Sequence, residues 1–250
     1  MNKKAMIAWI VKLIFWGVII SFFWWVFSNN MFSQLTENPD QFLGLLSRHL
    51  QIVLISSSLA LATAIPAGIL MTRKNYQKYE WLFVNTANLG QTIPSIAILA
   101  LAMGFLGIGI QAAILALYVY SLLPILQNTI AGLKSVNPAA KDAALGMGMT
   151  PGQILFKIEL PMAANSIIAG IRTAIVLNIG TTALAYLIGG GGLGVWIFTG
   201  IQLFDNTYLI SGAVPVTLLA VTVDQLFRLL QFFMVPKGIR LAQKAAVNAV

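Results

Sequence analysis

Residues 137–161 read NPAAKDAALGMGMTPGQILFKIELP, a polar, turn-rich stretch in a chain that is otherwise mostly apolar. Asn137 and Pro138 supply an N-cap and a proline at the first helical position. The alanines that follow favour helix, and Gly146 and Gly148 are expected to end it. The pattern predicts a short, capped helix placed in water in the middle of the chain.

A second helix start follows directly. Thr150 and Pro151 repeat the cap and the proline, and Gln153 stands at the N3 position of a capping box. One face carries three apolar residues, Ile154, Leu155 and Ile158. Pro161 is expected to end this helix. The stretch predicts two stiff helices joined by a glycine turn. This helix–turn–helix segment, which we call the elbow, either receives force from another protein or is an interfacial loop without a partner.

The composition excludes a water-soluble domain. Of 250 residues, 58% are hydrophobic and 9% are charged, whereas soluble chains carry about 25% charged residues. The solvent for most of this surface is therefore lipid. The chain has no cysteine and one histidine, His49, which excludes disulfides, thiol nucleophiles and cysteine zinc sites and disfavours a metalloenzyme. We interpret His49 as an interfacial histidine.

Six apolar segments are long enough to cross a bilayer, which takes about 20 helical residues. They cover residues 8–27, 50–71, 82–103, 110–129, 163–187 and 208–234. The first has eight aromatic residues and no proline, so we expect a retained, lipid-facing anchor beside a five-helix core. Four of the others each contain one proline, Pro66, Pro94, Pro124 and Pro215. The sequence predicts an all-α polytopic membrane protein.

The basic residues define the topology. If the N-terminus is inside, eleven basic residues fall on inner segments and one, Arg48, falls on an outer segment. The eleven are Lys3, Lys4, Arg73, Lys74, Lys78, Lys134, Lys141, Lys157, Lys237, Arg240 and Lys244. The positive-inside rule then places both termini and residues 137–161 in the cytoplasm. We divide the chain into an anchor helix with its outer loop (1–48), a core membrane domain (49–236) with a cytoplasmic loop (130–162), and a cytoplasmic tail (237–250).

Polar residues in two spans are candidates for a substrate path. A patch at the expected kink of the third span consists of Gln91, Thr92, Pro94 and Ser95. In the fifth span, a stripe on one helical face consists of Asn178, Thr181 and Thr182. Each set either lines a path or forms hydrogen bonds between packed helices.

Two charged residues lie within the predicted spans. Arg172 and Asp224 are at similar distances from the ends of their helices, so we hypothesise that they form a structural or gating ion pair. The competing hypothesis pairs Asp224 with Arg228 one turn later on the same helix.

A run of glycines, 189–192, is followed by Leu193 and Gly194 on the outer side. Glycine permits backbone conformations that other residues avoid, so a bent or re-entrant turn followed by a short amphipathic helix is expected. The candidate residues for an outer gate or a docking surface are Gly190, Gly191, Gly192 and Gly194. A flexible connector is the alternative.

The loop resembles the coupling loop of ATP-binding-cassette importer permeases, whose pattern is E-A-A-x3-G-x9-I-x-L-P. Seven residues fall on that spacing: Asp142, Ala143, Ala144, Gly148, Ile158, Leu160 and Pro161. Asp142 replaces the family's glutamate, which keeps the charge and shortens its reach by one methylene. The resemblance implies that these residues couple the chain to an ATPase.

Further stretches over about 50–240, among them GQTIPSIAILAL, IIAGIRT and IGGGGLG, resemble permeases that import glycine betaine, choline, carnitine and related quaternary amines. The resemblance implies a second permease subunit, which is either a copy or a relative, ATPase subunits that bind ATP and Mg²⁺, and an extracytoplasmic substrate-binding protein. The chain itself has no phosphate-binding loop, so it is expected to be non-catalytic and to bind no metal. Another solute, such as an amino acid, and ion-coupled secondary transport remain as alternatives.

Quaternary ammonium groups bind to aromatic faces. The candidate aromatic residues within the spans and the outer turn are Tyr118, Tyr120, Tyr186 and Trp196. The alternative is that they belong to the aromatic belts of the membrane interface.

Overall fold

A computed structural model describes residues 3–234, apart from the side chains of residues 3–5 and 8. Every regular element among these residues is a helix. The longer α-helices are α1 (Lys3–Ser28), α3 (Pro39–Met71), α4 (Glu80–Thr92), α5 (Ser95–Leu106), α6 (Ile110–Lys134), α9 (Leu160–Thr181) and α11 (Asn206–Met234). The shorter ones are α2 (Ser33–Glu37), α7 (Pro138–Gly146), α8 (Pro151–Ile154) and α10 (Gly194–Leu203). The remaining regular elements of the described residues are two 3₁₀ segments (Gln77–Tyr79 and Thr182–Ile188) and a π segment (Leu155–Glu159).

The all-α membrane fold is confirmed. Among residues 3–234, five helical stretches are long and apolar enough to cross a membrane, and the bent pair formed by α4 and α5 gives a sixth if it counts as one span. Only 6% of the most apolar part of α1 is buried, as expected for a peripheral, lipid-facing helix. The tail predicted over 237–250 lies outside the described residues.

The third span differs from the single kinked helix predicted over 82–103. Its two helices, α4 and α5, meet at an angle of 102°. Ile93 has an extended backbone conformation (φ −73°, ψ 130°) between the two helices. Pro94 explains this break, because proline removes a backbone donor and pushes the preceding residue out of the helical region.

The second span begins eleven residues earlier than predicted. Pro39 occupies the first turn of α3, and Asp40 adds a favourable negative charge there. The 33 residues of α3 span about 50 Å at 1.5 Å per residue, against about 30 Å of hydrocarbon. His49 therefore lies within α3, where it is fully buried, and its interpretation as an interfacial residue is wrong.

The expected helix end at Pro161 is also wrong. The chain stays helical from Pro151 through the π segment and α9 to Ile188. Pro161 stands in the first turn of α9, where its missing N–H is tolerated because the preceding π segment has already shifted the hydrogen-bond register. The second helix of the elbow is therefore continuous with a membrane span.

The core forms around α6, which packs against α3, α4, α5 and α9. Small residues bring these helices close together. A Cβ atom placed at Gly170 of α9 would lie 2.6 Å from the carbonyl oxygen of Pro124 in α6, so only glycine fits at this crossing. This contact fixes the position of α9, and with it the elbow, relative to the rest of the bundle.

Candidate functional site

The elbow has the caps that the sequence predicts. Asn137 Oδ1 accepts a hydrogen bond from the N–H of Ala139 at 2.9 Å. Thr150 Oγ1 accepts from the N–H of Gln153 at 3.3 Å, and Gln153 Oε1 accepts from the N–H of Thr150 at 2.9 Å. Gly148 between the helices has φ +77°, a conformation that favours glycine. The capping predictions are confirmed.

The residues of the seven-position motif lie at different depths. Those exposed are Asp142, Ala143, Gly148 and Pro161, those half-buried are Ile158 and Leu160, and Ala144 is buried. Beside them, three large apolar side chains are exposed by 56% to 70%: Leu145, Met147 and Phe156. Exposed apolar side chains beside charged ones are typical of surfaces that another protein covers.

Glu159 is a residue that the sequence reasoning missed. Its side chain is buried at the base of the elbow, where Arg73 Nη2 lies 2.6 Å from Oε2 and Lys141 Nζ lies 3.0 Å from Oε1. Arg73 follows α3, and Lys141 belongs to α7. One carboxylate thus ties together three segments of the chain. The sequence does show that Glu159 is an acidic residue beside the apolar face of the elbow, but it does not show that Arg73 and Lys141 are its partners.

Most of the predicted stripe on α9 is buried. Asn178 donates to the hydroxyls of Ser56 and Ser57 on α3, both at 3.1 Å. Thr182 is buried and donates to the carbonyl oxygen of Asn178 at 2.6 Å. Half-buried Thr181 donates to its own helix at Leu177. In this structure Asn178 and Thr182 are buried; Asn178 bonds to a neighbouring helix, as in the helix-packing alternative, whereas Thr182 bonds within its own helical stretch.

The predicted patch near Pro94 lies at the bend between α4 and α5. Gln91 Nε2 donates to the carbonyl oxygen of Tyr120 on α6 at 3.1 Å, and exposed Thr92 donates to Leu89 of its own helix. Pro94 is exposed, and Ser95 is half-buried at the start of α5. This patch, unlike the α9 stripe, reaches the surface of the chain.

Asp224 contacts both of the arginines that the sequence offered as partners. Arg172 Nε lies 3.4 Å from Oδ1, and Arg228 Nε donates to Oδ2 at 2.8 Å. Arg172 Nη1 also reaches Gln231 Oε1 at 3.5 Å. Asp224 is 18 residues into α11, about 27 Å from its start. Arg172 is 12 residues from the start of α9, about 18 Å, so the group joins α9 to α11 within the spans.

The glycine run forms a turn packed against α3. Gly189, Gly191 and Gly192 have φ between +73° and +83°. Arg48 Nε donates to the carbonyl oxygen of Gly190 at 3.2 Å, and a Cβ at Gly192 would lie 3.3 Å from His49 Nδ1. These contacts pack the turn against the start of the second span.

His49 and Asp205 stabilise the same end of the bundle. His49 Nε2 lies 3.0 Å from the carbonyl oxygen of Ile179, which joins α3 to α9. Asp205, in the turn between α10 and α11, accepts hydrogen bonds from the hydroxyl of Thr207 at 2.6 Å and from its N–H at 2.7 Å. These hydrogen bonds, the hydroxyl's first, lower the pKa of the Asp205 carboxyl. The turn is thereby capped on the α11 side.

The four aromatic candidates lie in separate environments. Trp196 is buried and stacks on Phe42, with ring centroids 5.8 Å apart. Tyr186 stacks on Phe198 at 5.4 Å. Tyr120 donates to the carbonyl oxygen of Ile93 at 3.4 Å, and Tyr118 lines an apolar groove of about 520 Å³ between α3, α4 and α6. The structure does not bring the four together.

A multi-span helical bundle with a capped elbow at one end defines a polytopic membrane protein. The chain belongs to the family described as binding-protein-dependent transport system inner membrane component, whose model matches residues 64–236. It is therefore a multi-pass protein of the inner membrane.

Relatives of known name cover most of the chain. The chain is 41% identical over 212 residues to the glycine betaine/carnitine/choline transport system permease protein OpuCB of Bacillus subtilis, covering 85% of this chain and 97% of that protein. It is 40% identical over 214 residues to the osmoprotectant import permease protein OsmW of Salmonella typhimurium, covering 82% and 97%. The predicted resemblance to osmoprotectant permeases is confirmed.

The fold resembles that of a solved importer. A chain of the MetNI methionine ABC transporter, in an inward-facing conformation, matches with a TM-score of 0.69 and 22% identity, covering 80% of this chain and 99% of that chain. At this identity the match concerns the fold alone. The sequence and fold comparisons together place the chain among the permease subunits of ABC importers.

Proposed function

We propose that this chain moves quaternary-ammonium osmoprotectants, of the glycine betaine, choline and carnitine type, into the cell. ATP hydrolysis on partner subunits, which bind ATP and Mg²⁺, would drive this movement. The named relatives support the substrate class. The observation that carries the coupling role is the capped elbow with exposed Leu145, Met147 and Phe156 beside Asp142, because water alone would not stabilise such a surface.

Movement of the elbow is transmitted directly to the membrane-spanning helices α3 and α9. The partner ATPase contacts α7 and α8 on the cytoplasmic side, where the basic residues place them. The second helix of the elbow continues into α9, and Glu159 links it to Arg73 at the end of α3. Movement of the docked ATPase therefore shifts α3 and α9 together. A second permease subunit completes the path, and a substrate-binding protein delivers the solute from outside.

The contact between Arg172 and Asp224 transmits this movement from α9 to α11. Their contact, together with that of Arg228, is a structural link within the spans that holds α11 against α9. The glycine turn at the other end offers an outer docking surface through exposed Gly189 and half-buried Gly191, while Gly190, Gly192 and Gly194 are buried beneath it and Arg48 bonds to Gly190. A rigid surface suits a partner that binds and leaves repeatedly, since little ordering entropy is lost on each encounter.

Reconstitution in lipid tests the proposed function. We expect the purified permease–ATPase complex to hydrolyse ATP several times faster when a binding protein loaded with glycine betaine, choline or carnitine is added, because the loaded protein favours the ATP-bound state. Stimulation by methionine alone would indicate a different solute. Uptake by this chain alone, driven by a sodium or proton gradient, would instead support a secondary transporter.

Phe156→Asp tests the docking surface of the elbow. The side chain of Phe156 is 70% exposed, so the substitution does not disturb the core but places a charge where an apolar partner surface is expected. We expect at least a tenfold loss of ATPase subunits co-purified with the permease, which corresponds to about 1.4 kcal/mol.

Phe204→Asp is the matched control for this measurement, since Phe204 is 94% exposed and lies at the other end of the bundle. It should retain the ATPase. Equal losses from both variants, or normal recovery with Phe156→Asp, would contradict the assignment of the elbow as the ATPase contact.

A further inference from the structure

Three side-chain hydrogen bonds join α4 to α6 along one line. They run from Lys134 to Glu80 at 2.7 Å, from Gln127 to Asn88 at 3.3 Å, and from Gln91 to the carbonyl oxygen of Tyr120 at 3.1 Å. From Glu80 to Gln91 the line extends about 16 Å along α4 and ends near the bend at Pro94. We call this line the polar seam.

The middle contact of the seam is incomplete. Gln127 is exposed and Asn88 is half-buried, and Asn88 lies eight residues, or about 12 Å, from Glu80 along the span. Each amide has two N–H donors and an oxygen acceptor, whereas their mutual contact uses one donor and one acceptor. Within the described residues the remaining groups have no partner. Lipid cannot supply one, so this side of the helix pair faces water or a polar surface.

Exposed threonines in the spans differ from Asn88 and Gln127 because their hydroxyl groups are hydrogen-bonded within their own helices. Each of four donates to the carbonyl oxygen four residues earlier in its own helix, at 2.8 to 3.0 Å: Thr63, Thr86, Thr173 and Thr217. A threonine satisfied in this way is compatible with lipid. Asn88 and Gln127 are thus distinguished from these polar side chains by their unused hydrogen-bonding groups.

The other side of the α4–α6 contact is apolar. It forms the groove of about 520 Å³ shared with α3, whose α4 wall includes Leu82, Phe83 and Thr86. On α4, Asn85 lies three residues before Asn88 and shares its face, while Thr86 lies on the opposite face. The helix pair therefore has one apolar side and one side on which Asn85, Asn88 and Gln127 lie beside the exposed Trp81.

We propose that Asn88 and Gln127 line the water-filled part of the translocation path, between the Glu80–Lys134 ion pair and the bend at Pro94. This inference rests on the proposed function. Neutral amides hydrogen-bond water and the carboxylate or hydroxyl of an osmoprotectant. They add no net charge that would retain a quaternary ammonium ion, and the ion pair at the end of the seam is neutral overall. The residues suit rapid passage of a zwitterion or a small cation.

Cysteine accessibility tests this inference directly, because the chain contains no cysteine. Asn88→Cys and Gln127→Cys are made singly in the full chain, assembled with its partners in membrane vesicles open to reagent on both sides. A charged, membrane-impermeant methanethiosulfonate is then added. The thiolate is the reactive form and needs water to form, so we expect both positions to react at least about tenfold faster than Thr86→Cys.

Thr86→Cys is the matched control, an exposed and nearly isosteric substitution on the same helix. Asn85→Cys, on the same face as Asn88, supplies a second position if either seam variant fails to insert, and it should also react. The inference is overturned if position 86 reacts as fast as the seam positions, or if the seam positions react neither with nor without ATP. Since labelling is read without transport or hydrolysis, its failure is distinct from failure of the proposed function.

Discussion

Gly194→Ala is expected to prevent stable assembly of the protein. A Cβ atom at this position would overlap the carbonyl oxygen of Ala183, and the carbonyl carbon of Ala183 would lie 2.7 Å away. Because both atoms belong to the backbone, the overlap cannot be relieved by a side-chain rotation. We expect a loss of about 3 kcal/mol, at the upper end of overpacking effects. The measurement is the thermal unfolding midpoint of the detergent-solubilised protein, with recovery after size-exclusion chromatography.

Gly180→Ala is the matched control for this substitution. Gly180 lies in α9, fourteen residues away, and no atom lies within 4 Å of its virtual Cβ. Alanine is favoured over glycine within a helix, so this variant should unfold at the same temperature or slightly higher. Equal midpoints for the two variants would show that the turn before α10 adapts freely, against the packed arrangement described above.

Glu159→Gln is expected to uncouple the elbow from the membrane helices. Glutamine keeps the size of the side chain and removes the charge that Arg73 and Lys141 share. Removing one member of a buried ion pair costs about 3–5 kcal/mol. Arg73 and Lys141 are about a third exposed, so water screens part of this cost, and we expect about 1–2 kcal/mol. The elbow should then move without displacing α3.

The measurement for Glu159→Gln is osmoprotectant uptake by reconstituted complexes, together with the amount of bound ATPase. Uptake should fall about tenfold, as 1.4 kcal/mol corresponds to a factor of ten, while the ATPase remains bound through the exposed face of the elbow. Glu37→Gln, which alters an exposed carboxylate in α2, should transport normally. Full uptake by Glu159→Gln would show that its ion pairs do not transmit force.

Local features of the site were predictable from the sequence, because their causes are local. The caps at Asn137 and Thr150 depend on residues two or three positions away, and the spans follow from uninterrupted apolar length. The continuation through Pro161 was not predictable. A proline ends a helix or begins one according to the hydrogen-bond register of the preceding turn, which here includes a π segment.

Burial of polar residues required the tertiary structure. His49 contacts Ile179, which is 130 positions away, and Asn178 contacts Ser56, which is 122 positions away. Contacts between residues so far apart cannot be recognised from the local composition of the sequence. The same limit applies to Gln127, since only its position opposite Asn88 distinguishes it from other polar residues in an apolar helix. Residues that pack and residues that face water look alike in the sequence until the helix neighbours are known.

The length of α3 has a mechanical consequence for α9. Along its roughly 50 Å, α3 and the residues just beyond it contact the continuous helical stretch 151–188 at two heights. His49, Ser56 and Ser57 reach the adjacent residues Ile179 and Asn178, and Arg73 reaches Glu159. Axial sliding of one helix past the other would break all of these attachments at once. We therefore expect the two helices to tilt as a single rigid body together with α11, which Arg172 and Asp224 hold against α9, and relative motion is left to the bent α4–α5 pair.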